Sequence, residues 1–234
     1  MQKTIKGLAT PFVAIVIALL IGAGVMLVTG NNPVTAYGAL FSGAFGSTVN
    51  LSNTFASAIP LILSGLGVAI GFKAGLFNIG AEGQYWIGSM AAVWIGYSVH
   101  GLPPVLHISL AIVTGMLAAG LWGGIIPGLA KAYVGAHEVI TTMMMSYIAI
   151  FLSHYMLENG PMMQPGFTPQ SPVILPSATL GKLVERTQLS WGLVIALAAC
   201  VVVYWLLYNT TLGYRLRAVG LNARAASYAG INVP

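Results

Sequence analysis

Apolar residues fall in continuous runs of about twenty, separated by short stretches rich in Gly, Pro, Asn and Ser. A helix needs about 20 such residues to cross a hydrocarbon core. Six segments qualify, at 8–29, 54–72, 84–100, 105–129, 139–157 and 189–208. Barrel strands would instead alternate apolar and polar positions over about ten residues. The pattern therefore predicts an all-α, polytopic transmembrane bundle of about six spans, because lipid forces every backbone polar group to be satisfied within the chain. Residues 30–53 read as an external loop carrying a surface or re-entrant helix. Gly101, Pro103 and Pro104 mark a tight turn, and five prolines between Pro161 and Pro176 make 158–188 an irregular external loop.

Composition strengthens this picture. Of 234 residues, 57% are hydrophobic and 6% charged, against about 25% charged in a soluble domain. Such a chain cannot cover a water-facing surface. Its cations stand singly between apolar runs, so the net charge of +5 reports topology and not nucleic-acid binding. With the N-terminus in the cytoplasm, Lys3, Lys6, Lys73, Lys131, Arg215, Arg217 and Arg224 lie inside, and Lys182 and Arg186 lie outside. That seven-to-two bias obeys the positive-inside rule. The first apolar run exceeds the 7–15 residues of a signal-peptide core, so it reads as a retained span. The lone Cys200 excludes an intramolecular disulfide and thiolate metal sites, and reads as a small buried side chain.

Candidate chemistry is sparse. The chain has no Asp, and its acids are Glu82, Glu138, Glu158 and Glu185. It contains no His-Glu-x-x-His, no Gly-x-Ser-x-Gly and no P-loop lysine motif, which argues against an enzyme and against ATP hydrolysis by this chain alone. Asn78, Glu82 and Gln84 cluster in a glycine-punctuated stretch, Phe77–Gln84. Glu82 either lines a translocation path or gate or sits at the cytoplasmic interface beside Lys73. His137 and Glu138 open the fifth span. They suggest either a proton relay or a helix start whose acid suits the dipole. Met143, Met144 and Met145 suit a surface that slides or ordinary packing.

Residues 209–234 form a polar tail. Gly220 and Asn222 predict a turn and an N-cap. Ala223–Ala229 predicts a short Ala-rich helix that stops at Gly230. Small side chains following a basic linker would let this helix seat in a groove of another protein.

The run Leu216-Arg217-Ala218-Val219-Gly220, Asn222, Ala225-Ala226 and Tyr228-Ala229-Gly230-Ile231 resembles the cytoplasmic coupling segment of permease subunits of bacterial ATP-binding-cassette importers. That is the branch with ribose, branched-chain amino acid and nucleoside permeases. Phe77–Gln84 and Gly135–Thr142 resemble the nucleoside-type members most, with simple-sugar permeases as the alternative. The resemblance covers essentially the whole chain. It implies a permease in the bacterial cytoplasmic membrane, with no cofactor of its own. It also implies partners: an ATPase subunit binding ATP and Mg, a second permease subunit, and an extracellular or lipid-anchored solute-binding protein. Arg215, Arg217, Gly220, Asn222, Arg224, Ala225, Ala226, Tyr228 and Gly230 would couple to the ATPase. Asn78, Glu82, Gln84, His137 and Glu138 would line the pathway or gate. Family members continue with further helices, so the sequence reads as the N-terminal part of a longer permease. The rival classes are an ion-gradient-driven transporter, which would rely on Glu82 or on His137 and Glu138, and a membrane scaffold.

Overall fold

The computed structural model describes residues 2–233, with side chains from Phe12 onward. The side chains of Lys3 and Lys6, and those of residues 8–11 at the start of the expected first span, lie outside the described ones. Among those residues the chain is helical, in the order α1 (Gln2–Val28), α2 (Pro33–Phe45), α3 (Thr48–Lys73), α4 (Ala81–Ser98), α5 (Pro104–Val134), α6 (Glu138–Glu158), α7 (Gly192–Asn209), α8 (Thr211–Leu221) and α9 (Ala223–Tyr228). Of these, α3, α5, α6 and α7 are long and apolar enough to cross a membrane, and α1 carries a shorter apolar stretch, Phe12–Val28. Many large apolar side chains are exposed, among them Leu20, Phe151, Val201 and Trp205. A surface of this kind is at equilibrium with hydrocarbon and not with water.

The chain divides into two compact units, Met1–Phe55 with Val184–Gln188, and Ala56–Leu183 with Leu189–Pro234. In the first, α2 begins at a side-chain cap, where Asn32 accepts from the Val34 amide at 2.9 Å and Pro33 opens the helix. The Tyr37 hydroxyl donates to the Leu19 carbonyl of α1 at 2.6 Å. Thr54 and Asn50 of α3 donate to the Ala44 and Ser42 carbonyls, both at 2.9 Å.

In the second unit α4, α5 and α6 pack closely on one another. No hydrophobic force draws helices together in lipid, so close approach depends on small residues. Gly88 and Gly115 meet back to back: a methyl built on Gly115 would stand 2.9 Å from the Gly88 carbonyl. Ala92 and Ala119 flank the contact. The Trp122 indole donates to the Met145 carbonyl at 3.1 Å, joining α5 to α6.

The C-terminal end of α4 is held by an interaction that the hydropathy pattern does not disclose. His107 is fully buried in α5. The Ile95 carbonyl, 3.0 Å away, can only accept, so Nε2 carries the proton. Nδ1 lies 2.9 Å from the Ser177 hydroxyl, the second hydrogen bond of the ring. Ser177 lies in a short 3-10 turn, Pro176–Ala178, beside Leu175, whose amide donates to the Gly96 carbonyl at 2.9 Å. The proline-rich connection is therefore pinned onto α4 and α5 instead of hanging free. His107→Ala removes two hydrogen bonds and leaves a cavity, so it should destabilise the protein by about 2–3 kcal/mol. Thermal unfolding in detergent checks this, together with faster proteolysis of the segment around 160–180.

Two sequence expectations are corrected. The basic linker expected before the Ala-rich helix is itself helical, as α8. Its start is capped by Thr210, whose hydroxyl accepts from the Gly213 amide at 3.1 Å. Gly220, expected in a turn, lies inside α8; its missing side chain serves a close backbone contact instead of a bend. In addition, α5 continues past position 129 to Val134 and stops only at Gly135, which takes the left-handed conformation at φ 66°.

Candidate functional site

The expected pathway residues lie at the end of the second unit where α4 and α6 begin. The Asn78 side chain caps its own turn, accepting from the Gly80 amide at 2.7 Å. The Ile79 amide donates to the Thr142 hydroxyl of α6 at 3.2 Å, and the Gly83 amide to the Ser146 hydroxyl at 3.1 Å. Thr142 in turn donates to the Glu138 carbonyl at 2.7 Å. Asn78 and Glu138 are thus brought to one end of the α4–α6 contact.

That contact depends on glycine. A methyl at Gly83 would stand 2.5 Å from Ser146 Cα and 3.2 Å from Ala149 Cβ. On α6, Thr142, Ser146, Ala149 and Ser153 are all buried, and their spacing of three and four residues puts them on one face. Sequence reasoning missed this face. Its signal was present as small and hydroxylated residues at helical spacing opposite Gly80 and Gly83.

The remaining candidates separate. Gln84 is half-buried and its amide lies over Gly123 of α5. Glu82 is exposed and forms no ion pair among the described residues. His137 is exposed, at the N-cap position of α6 without a side-chain cap. Glu138 is engaged by Lys131, with Nζ 2.7 Å from Oε2, which clips the turn between α5 and α6. The carboxylate that a His137–Glu138 relay would use is engaged by Lys131.

The tail folds onto the same end. Gly213 fits against the Leu206 and Leu207 carbonyls where α7 turns into α8. Arg217 sits over the Tyr208 ring, 4.9 Å from its centroid, and Tyr208 lies 5.0 Å from Tyr204. A cation on an aromatic face suits a helix end at a membrane surface. Arg215 and Arg224 are exposed and unpaired with acids among the described residues. Asn222 caps α9, accepting from the Ala225 amide at 3.1 Å, and Gly230 closes it at φ 82°. Ala226, expected among the docking residues, is the buried residue of α9, at 5% exposure. The free face presents Arg224, Ala225, Ser227 and Tyr228.

These features define a polytopic helical membrane protein with a basic helical tail folded against one end of its bundle. Residues 50–234 match the family described as branched-chain amino acid transport system / permease component, and the chain belongs to that family. It is 41% identical to a guanosine ABC transporter permease protein of Bacillus subtilis, over 100% of this chain and 67% of the relative. It is 37% identical to a nucleoside ABC transporter permease protein of Lactococcus lactis, over 99% of this chain and 66% of the relative. It is also 35% identical to a glucose ABC transporter permease protein of Haloferax volcanii, over 95% and 61%. The chain therefore spans about two thirds of the length of these curated relatives. No solved structure matches it.

Proposed function

We propose that the chain is a transmembrane permease subunit of an ATP-driven importer whose cargo is a nucleoside. The reading is carried by its similarity, along its whole length, to nucleoside-type permeases of two bacteria. In this account the subunit sits in the cytoplasmic membrane with six crossings and an N-terminus inside. A second permease subunit completes the pathway, a solute-binding protein delivers cargo outside, and a partner ATPase supplies ATP and Mg chemistry. The chain's contribution is to change the relative stability of outward- and inward-open states, not to make or break bonds. Hydrolysis belongs to the partner, so the chain is not itself an enzyme.

One structural feature supports this reading. The helical tail, α8 with α9, closes back on the bundle and leaves Arg224, Ala225 and Tyr228 free for a partner.

The similarity to a glucose permease favours a simple sugar as the second reading. Labelled guanosine accumulation by cells producing the permease with its partners separates the two. Excess adenosine should compete by more than tenfold and excess glucose should not; the reverse pattern would assign the sugar.

A further inference from the structure

The tail helix touches the bundle at a point where neither side has a side chain. Gly75 follows α3 in a left-handed turn at φ 76°. The turn closes with the Leu76 amide on the Gly71 carbonyl at 2.9 Å and the Gly75 amide on the Phe72 carbonyl at 3.1 Å, the paired bonds of a Schellman stop. Gly220 of α8 lies directly on it. A methyl at Gly75 would meet Gly220 Cα at 3.0 Å and its oxygen at 3.2 Å. A methyl at Gly220 would collide with the Lys73 carbonyl oxygen and stand 2.9 Å from both the Ala74 carbonyl carbon and the Gly75 nitrogen. Backbone rests on backbone, so the joint has no flexible side chain to absorb movement.

From this joint a continuous set of contacts leads inward. Phe72 and Phe77 pack edge to face with centroids 5.0 Å apart. Asn78 braces Gly80, Ile79 bonds Thr142, and Gly83 bonds Ser146. At its other end α8 is fixed to α7 through the Thr210 cap, the Gly213 corner and the Arg217–Tyr208 contact. The helix is therefore a bridge held at both ends, with α9 attached at the Gly220 end.

Resting on the permease reading above, we propose that the Gly75–Gly220 contact is the joint through which the tail's movement reaches the α4–α6 contact. Gly75 and Gly220 are then positioning residues for coupling. Movement of α9 by the ATPase displaces the 73–80 turn directly, and the turn carries it to Thr142 and Ser146.

The test uses the complete complex of permease, ATPase and solute-binding protein in proteoliposomes. Among complexes that retain the ATPase, Gly220→Ala should lower solute-stimulated hydrolysis and uptake at least tenfold. Gly124→Ala, at a helical glycine with open space around it, should leave coupling within twofold. Stimulation within twofold of the parent in an assembled Gly220→Ala complex would overturn the joint and leave the permease reading standing. Absence of any ATPase from the parental complex would overturn both. Hydrogen exchange on the unaltered complex needs no variant. A non-hydrolysable nucleotide should change exchange in both 211–228 and 74–84, and a change confined to 211–228 would equally overturn the joint.

Discussion

Replacing Gly83 by valine should abolish folded permease in the membrane, or leave a residue of protein destabilised by at least about 3 kcal/mol. The α4 backbone approaches α6 so closely there that a single methyl would stand 2.5 Å from Ser146 Cα. That obstacle is main chain, which no rotamer change can move aside. Overpacking alone costs about 1–3 kcal/mol, and separating the helices also breaks the Gly83–Ser146 hydrogen bond, worth about 1 kcal/mol. Total stability is of order 5–15 kcal/mol, so the loss is large. Gly67→Val makes the same change on α3 where nothing lies within 4 Å of the added carbon, and it should cost less than about 1 kcal/mol. Ser146→Gly should cost only about 1 kcal/mol, because it removes the hydroxyl and not the backbone. Thermal melting of the purified proteins in detergent ranks all three. A Gly83→Val protein as stable as the parent would show that α4 and α6 do not pack in this way.

The second large effect belongs to the free face of α9. Tyr228 is 95% exposed on a helix whose only buried residue is Ala226. Isolated exposed tyrosines with small neighbours and an adjacent arginine have the composition of a binding hot spot. Ala225→Arg combined with Tyr228→Glu should lower the ATPase recovered with affinity-purified permease at least tenfold, equivalent to about 1.4 kcal/mol. Permease yield and monodispersity should stay unchanged, since both side chains point away from the protein. Ala226→Arg would lose the partner for a different reason: a long cation placed at a buried position would unseat α9. Undiminished ATPase recovery with the double variant would move the docking site elsewhere.

Much of the fold was legible because the solvent imposes it. Hydrocarbon admits only helices or closed barrels, so apolar run length located the helices without reference to their neighbours. Local capping was equally legible: Asn222 and Gly230 behave as their chemistry requires. What escaped the sequence was pairing between distant elements. Gly220 resembled a turn residue because glycine lowers helix propensity, whereas its role is set by Lys73 and Gly75, some 150 positions earlier. His107 gave a usable sign, since a histidine in an apolar run needs partners; only the fold shows those partners to be Ile95 and Ser177. The grouping of the pathway candidates was half legible. Asn78 and Glu138 do come to one end of the α4–α6 contact, but Glu138 is held by Lys131 and Gln84 is directed at α5. Thr142 and Ser146 went unnoticed because single hydroxyls on a span are common and carry no motif.

The central claim, that this chain moves a nucleoside at the expense of ATP held by a partner, is most directly tested by uptake into proteoliposomes containing the purified complex. Labelled guanosine, presented with the solute-binding protein, should accumulate only when ATP and Mg are supplied on the ATPase side. Accumulation should persist after ionophores collapse every ion gradient. Uptake by the permease alone, driven by an ion gradient and indifferent to ATP, would contradict the account.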